Sequence, residues 1–167
     1  MSNRTVKIES LVNYSVVLSE PYSNFSRTFT KDMQSAVVDY TIMEQGLQLN
    51  GFNKMFTNGV LRIVDKKDRI DLGLEAASED DQMEEIFTIS TGEIVKLFKS
   101  KNYEKIEEAV NKSSDSTIQN MITTLIKFKL FDNTIVDILQ KKVPSQDIFA
   151  LIKLSKDAEK ENFEAEL

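Results

Sequence analysis

The sequence predicts an α+β fold, with a small antiparallel β-sheet or barrel first and a bundle of about five short helices after it. Three observations support this prediction. Short β-branched and aromatic runs fill the first 40 residues, apolar residues at helical spacing dominate from Phe87 onward, and an acidic stretch separates the two patterns. Because side chains repeat every two residues in a strand and about every 3.6 in a helix, the change of period indicates a change of structure.

Composition sets the size and the general class of the molecule. The 167 residues, 41% of them hydrophobic, are enough for one domain or two small ones with a buried core. The formal net charge of −6 makes nucleic acid an unfavourable partner, because an acidic surface repels the phosphate backbone.

The chain contains no cysteine and no histidine, which removes several kinds of chemistry. Cys/His zinc sites, thiol nucleophiles and the Ser-His-Asp constellation are excluded. Acid-base catalysis would fall to Asp, Glu, Lys or Tyr with shifted pKa values, so we expect no enzyme and no cofactor. The first ten residues lack the apolar core of a signal peptide, and no apolar run approaches the roughly 20 residues of a membrane span. We therefore expect no membrane partner and synthesis in a cytoplasm.

Four short strands are predicted in the first 40 residues. Residues 5–18 hold two strands joined by a turn, since apolar and polar residues alternate there in part. Residues 25–30 and 35–40 hold two more. Each lies next to a cluster of turn-forming residues, at 20–24 and 31–34.

Residues 47–65 organise the first half of the chain. The pairs Asn50-Gly51 and Asn58-Gly59 predict two turns, because Asn and Gly tolerate a positive φ. A one-turn helix is expected between them, and residues 60–64 form the clearest strand in the sequence. Just upstream, Thr41 and Glu44 have the spacing of a capping box. Gly73 is expected to end a short charged helix over 66–72.

Four segments follow from these patterns. We predict a β-rich module with short inserted helices at 1–74, an acidic linker at 75–86, an α-helical module at 87–154 and a charged, frayed tail at 155–167. Ser90 and Glu93 have capping-box spacing at the start of the first helix of the helical module. The remaining helices of that module are expected over about 103–111, over 116–129, after Asn133 and after Ser145, with Pro144 ending the fourth.

Several short motifs carry a resemblance to a known family. They are an Arg-x-Phe strand, a Gly turn before a short apolar helix, a following strand and a Leu-Gly-Leu segment, here Arg27-Thr28-Phe29, Gly51 with Met55-Phe56, Leu61-Arg62-Ile63 and Leu72-Gly73-Leu74. An acidic linker and helices like those of Phe87 to Leu125, starting at Gly92-Glu93-Ile94-Val95, complete the pattern. In these features the chain resembles a family of small proteins encoded by tailed bacteriophages and prophages. It departs from the family at Asn50-Gly51, where a paired glycine is expected. The resemblance implies a virion-associated or morphogenesis protein.

One set of apolar residues is a candidate protein interface. Its members are Phe25, Phe29, Phe52, Met55 and Phe56. Aromatic residues and Met are enriched where proteins meet, although at this spacing they belong more often to a core, which is the interpretation we favour.

Three sets of charged residues could each be a functional site, but a solvated surface explains each of them better. Asp65, Asp68 and Asp71 could gather a hard cation, but they alternate with basic residues and fit a solvated helix. The acidic run from Glu79 to Glu85 fits a solvated linker better than a site for a metal or a basic partner. A lysine cluster beside Tyr103 could contact nucleic acid, but adjacent glutamates offset its charge. The cluster consists of Lys96, Lys99, Lys101 and Lys105.

The resemblance, together with the lack of a catalytic constellation, leads us to expect a non-enzymatic bacteriophage virion structural or assembly protein, associated with the capsid, the connector or the tail. Its expected partners are other phage structural proteins and copies of itself, and its expected location is the virion. The alternative is an intracellular phage adaptor or regulator that binds a host protein through its acidic helical half. An enzyme that uses carboxylates and a metal is the weakest of the three hypotheses.

Overall fold

The computed structural model describes residues 4–165, except for the side chain of Glu164. It confirms the α+β fold class, with small antiparallel sheets followed by helices. Within the described residues the strands are β1 (Thr5–Ser10), β2 (Val16–Glu20), β3 (Phe25–Phe29), β4 (Ser35–Asp39) and β5 (Leu61–Ile63). The helices are α1 (Tyr40–Gly46), α2 (Asn50–Thr57), α3 (Lys66–Asp71), α4 (Thr91–Ser100), α5 (Tyr103–Lys112), α6 (Asp115–Lys127), α7 (Asn133–Lys142) and α8 (Ile148–Ala165).

The strands form two separate antiparallel sheets rather than a closed barrel. In the first sheet β1 is central and the order is β4-β1-β5; the second contains only β2 and β3. The register pairs Val6 with Val38 and Ile8 with both Ala36 and Ile63. β5 therefore lies at one edge of the three-stranded sheet.

Two hydrophobic clusters form the core. The first joins the strands to α1 and α2, and its fully buried members include Ile8, Phe29 and Met43. The second joins α4 to α8, with Ile94, Met121 and others between the helices. The five helices of the second cluster match the predicted helical bundle.

A buried polar seam connects the two halves. The Asn120 side chain on α6 accepts a hydrogen bond from the Asn13 N–H (3.1 Å) and donates one to the Leu11 carbonyl (3.1 Å). The Thr91 N–H at the start of α4 donates to the same carbonyl (3.0 Å). The Ser114 hydroxyl at the start of α6 donates to the Asn58 carbonyl (2.6 Å). Since these groups are paired with one another, the seam satisfies polar atoms that burial would otherwise destabilise.

Glu20, at the end of β2, is a buried carboxylate inside the β half. It accepts hydrogen bonds from the Ser23 hydroxyl and from the backbone N–H groups of Tyr22 (2.9 Å) and Ser23 (2.7 Å). The Ser23 hydroxyl and these amides lower the pKa of Glu20, although burial acts in the opposite direction. Glu20 thereby fixes the tight connection to β3.

Two of the predicted turn glycines are confirmed, and one turn is wrong. Gly59 and Gly73 have positive φ values of 68° and 73°. Asn50 and Gly51 instead open α2, where Leu49 has the extended backbone of an N-cap residue and its carbonyl accepts from the Asn53 N–H (2.9 Å). The helix is more favourable than the turn because it places the side chains of Phe52 and Phe56 in the core.

The two predicted capping boxes differ in outcome. Ser90 and Glu93 form a full capping box at α4. At α1 the prediction is wrong, because the helix begins one residue before Thr41 and Asp39 at its N-cap makes no side-chain capping bond.

The expected fraying after residue 154 is wrong as far as Ala165, because α8 continues through that residue. Lys156 lies 4.6 Å from the centre of the Phe131 ring, and Lys129 makes a 3.0 Å ion pair with Glu159. These contacts attach the charged part of α8 to the loop before α7. Residues 166–167 of the predicted tail lie outside the described residues.

Candidate functional site

A cavity of about 760 Å³ lies along the outer edge of β5. Its walls include Leu61 and Ile63, which face the core, and Arg62, which pairs with Glu9 on the other face of the sheet. Side chains of a strand alternate between its two faces, so a cavity that touches both faces must run along the strand's edge. The opposite wall is the segment 74–88, which contains the acidic linker. We call this cavity the edge groove.

The strand register shows which backbone groups face the edge groove. The Val64 N–H donates to the Lys7 carbonyl (2.9 Å) and the Leu11 N–H donates to the Val60 carbonyl (3.0 Å). In an antiparallel pair, hydrogen-bonded positions alternate with positions that point away. The backbone groups of Leu61 and Ile63 therefore point away from β1, but the two residues are only 0% and 1% exposed, so neighbouring residues cover this edge.

Arg69 on α3 occupies part of this edge. Its guanidinium donates to the carbonyls of Ile63 (2.8 Å) and Val64 (2.9 Å) and to the Glu75 carboxylate (2.6 Å). The hydrogen bond from Arg69 is the main reason that the pKa of Glu75 is lowered. The Leu61 N–H, the Leu61 carbonyl and the Ile63 N–H make no hydrogen bond to another group within residues 4–165.

The cations of the edge groove are paired, whereas part of its acidic wall is not. Arg62 contacts Glu9 at 2.7 Å, and Arg69 is held by Glu75. Three exposed acidic residues on the opposite wall form no salt bridge with any described residue. They are Glu79, Glu84 and Glu85. The edge groove therefore has a net negative wall.

The charge of the whole chain is concentrated in this wall. Residues 75–86 contain six acidic residues and no basic one, and the rest of the chain has 21 of each sign. The net charge of −6 thus belongs to the linker. Residues 87–167, with 13 acidic and 12 basic residues, are nearly neutral, so the idea of an acidic helical half is wrong.

The structure does not bring the five candidate interface residues together on a surface. Phe29, Phe52 and Phe56 are at most 4% exposed and belong to the core of the β half, and Phe25 and Met55 are half-buried against it. The interface interpretation is therefore corrected in favour of the core. Only Phe56 also reaches the wall of the edge groove.

The aspartates of α3 have structural partners. Asp65 caps the helix by accepting from the Asp68 N–H (3.2 Å), and Asp68 makes a 2.7 Å ion pair with Arg4. Asp71 also pairs with Arg4. Among the residues that the structure describes, no group of three acidic side chains is arranged to hold a metal ion.

Tyr103 in the lysine cluster is tied to the protein. Its hydroxyl donates to the Asp132 carboxylate (2.9 Å), and this interaction raises the pKa of Tyr103. Asp132 also caps α7 by accepting from the Thr134 N–H (2.9 Å). The ring therefore helps to join α5 to α7.

A second surface was not anticipated from the sequence. On α8, Ile148 and Ile152 are buried, whereas Phe149, Leu154 and Phe163 are 46%, 65% and 66% exposed. The apolar spacing of α8 predicted a helix but not which of its residues the neighbouring helices would leave uncovered. Within residues 4–165 no helix is both long and apolar enough to span a bilayer.

The edge groove itself was missed because it depends on tertiary pairing. The sequence predicted the strand and the acidic segment separately, but nothing in their spacing placed one against the other. Comparisons with protein-family models, curated proteins and solved structures found no match to this chain.

Proposed function

We propose that this chain is a non-enzymatic structural or assembly protein of a bacteriophage particle, acting through protein–protein contacts. The observation that carries the proposal is the set of large apolar side chains that α8 exposes to solvent. The phage context comes from the sequence resemblance.

The exposed apolar residues of α8 lie on the part of the helix that the neighbouring helices leave uncovered. Phe149, Leu154 and Phe163 present large side chains to solvent on a single helix. Large exposed apolar groups are typical of surfaces that contact other proteins. A protein with an exposed apolar helix face suits a particle in which each copy touches neighbours, among them copies of itself.

The test is mass spectrometry of purified particles of a phage or induced prophage that encodes the chain. We expect the protein in a fixed ratio to the major particle proteins after density-gradient purification. A preparation of intact particles without this protein, made by cells that contain it, would refute a virion location.

The second candidate is an intracellular adaptor that binds a host protein. The concentration of the net charge in residues 75–86 favours it, because that segment would attract a basic partner. Affinity purification from infected cells discriminates between the two. A stoichiometric host partner supports the adaptor, and recovery of phage structural proteins supports the particle protein.

A further inference from the structure

We infer that two copies of this chain pair along the free edge of β4, antiparallel to each other, so that their β4-β1-β5 sheets join into one continuous sheet. The two edges of this sheet differ. β5 is covered by neighbouring residues, whereas β4 packs mainly against β1 and against α1, which follows it directly. The β4 edge is separate from the exposed residues of α8, so the inference goes beyond the proposed function.

The hydrogen-bond pattern shows which backbone groups of β4 are free. The Tyr40 N–H donates to the Arg4 carbonyl (2.9 Å), and the Ser10 N–H donates to the Gln34 carbonyl (2.9 Å). In an antiparallel pair, residues that bond to the neighbouring strand alternate with residues whose backbone groups point away from it. The groups that point away from β1 therefore belong to alternate residues of β4. They are those of Ser35, Val37 and Asp39.

This edge is open to solvent. Val37 is 58% exposed, and Ser35 and Asp39 are exposed as well. Within residues 4–165 no turn or loop group makes a backbone hydrogen bond to Ser35 or Val37. Edge strands of natural proteins are commonly protected by Pro, Lys or a bulge. β4 has no Pro, no Lys and an unbroken register with β1, so it keeps the ability to pair with another strand.

β4 is complementary to itself in one antiparallel register. A two-fold axis through Val37 would place Val37 opposite the partner's Val37, and Ser35 opposite the partner's Asp39. These are the residues whose backbone groups point outward on both copies. Each facing pair can therefore exchange N–H and carbonyl hydrogen bonds, and the same surface serves both copies.

The side chains of this register match in polarity, which favours a second copy as the occupant. Val37 lies beside Lys7 on the face of the sheet opposite the core, and pairing would bring two exposed valines together. The Ser35 hydroxyl can donate to the partner's Asp39 carboxylate, and symmetry repeats this contact. Matched cross-strand pairs stabilise a sheet, and no like charges face each other directly.

The length of β4 sets the expected affinity. Its five residues, Ser35–Asp39, cover about 17 Å at a rise of about 3.4 Å per residue. Such a contact is smaller than a standard protein interface, so we expect a weak dimer with a Kd of about 10–100 µM. Further contacts in an assembly would strengthen it by raising the effective concentration.

Sedimentation equilibrium of the full chain over about 5–500 µM tests the pairing. We expect a monomer–dimer equilibrium that Val37→Lys weakens about tenfold or more, because it places like charges at the two-fold axis. Val17→Lys is the matched control on β2, where Val17 is 51% exposed, and it should leave the equilibrium unchanged. A chain that stays monomeric, or an equal effect of the two substitutions, would overturn the inference.

Two further variants test the strand pairing and its register. Val37→Pro removes an N–H that points away from β1, so it should preserve the fold, which circular dichroism checks, and abolish the dimer. Val37→Thr keeps the N–H and should keep the dimer. Ser35→Lys would face the partner's Asp39 twice and should strengthen the dimer about two- to tenfold. A dimer that tolerates Val37→Pro, or that Ser35→Lys weakens, would exclude this pairing.

The same measurements identify other occupants. A dimer that is lost in Leu154→Lys and kept in Val37→Lys would assign self-association to α8 and overturn the β4 pairing. A monomeric chain whose β4 amides become protected from hydrogen exchange in purified particles would assign the edge to a different protein and overturn the second copy. Dimerisation with these controls, in a chain that is absent from particles, supports the β4 pairing and refutes the virion role.

Discussion

Replacing Asn120 by alanine tests whether the polar seam holds the two halves together. Asn120 is 1% exposed, and its carboxamide binds the N–H of Asn13 and the carbonyl of Leu11 at 3.1 Å each. The Leu11 carbonyl keeps a donor in the variant, because Thr91 also binds it. The Asn13 N–H loses the acceptor that the Asn120 side chain supplies.

The expected cost follows from these contacts. The Asn13 N–H is half-buried, so the loss of its acceptor costs about 1–2 kcal/mol. The bonds that the Asn120 amide donates to the Leu11 carbonyl and the Thr91 hydroxyl add up to about 1 kcal/mol, because those two groups stay paired with each other. We therefore expect Asn120→Ala to lower the free energy of unfolding by about 2–3 kcal/mol, measured by urea denaturation followed by far-UV circular dichroism. If the seam couples the two cores, the variant should also unfold over a broader range of urea.

Gln119→Ala is the matched control, because it removes a carboxamide from the adjacent position of α6. Its side chain makes no hydrogen bond to another described residue, so we expect a change within about 0.5 kcal/mol. Equal effects of the two substitutions would refute the idea that the seam stabilises the contact between the halves.

Three further predictions concern the β half and the start of the helical half. Gly46→Ala should destabilise the protein by about 1–3 kcal/mol in thermal unfolding, because the new Cβ would lie 2.6 Å from the Phe52 ring. Gly51→Ala is the control: its new Cβ has open space, so it should stabilise the protein by about 0.5–1 kcal/mol. The pKa of Glu20 is below its ordinary value of 4.5. Its ionised carboxylate therefore contributes fully to the free energy of unfolding above that pH, and this contribution is lost as the pH falls through the lowered pKa. Glu20→Gln should therefore be less stable than the wild type at neutral pH, and chemical denaturation should show the difference closing in acid. Ser90→Ala removes the capping bond of α4 and should cost about 1 kcal/mol in the same assay, whereas no change would show that the cap contributes nothing.

The local sequence pattern was sufficient to predict the elements that depend on residues close together in sequence. The alternation of Val6 and Ile8 identified β1, and both residues are fully buried. Ser90 and Glu93 identified the start of α4, because a capping box requires only two residues three apart. Pro144 marked the end of α7, which stops at Lys142.

Contacts between residues that are far apart in sequence determine the elements that the local sequence pattern predicted wrongly. Asn50-Gly51 has the chemistry of a turn, but a helix there places Phe52 against Gly46, and the 5.8 Å Phe52–Phe56 ring pair extends the core. The expected single sheet or barrel became two sheets, because β1 pairs with β4 and β5 while β2 pairs only with β3. Strand pairing across 50 residues leaves no signal in the spacing of either strand.

The edge groove shows why an acidic linker cannot be interpreted from composition alone. Residues 75–86 read equally well as a solvated connection, and their six carboxylates would then only keep the chain soluble. The structure places part of this segment against β5, because Arg69 binds both the Glu75 carboxylate and the carbonyls of Ile63 and Val64. Leu61 and Ile63 on that strand are only 0% and 1% exposed. Since a covered strand edge cannot pair with another chain, the segment protects the sheet as well as connecting the two halves.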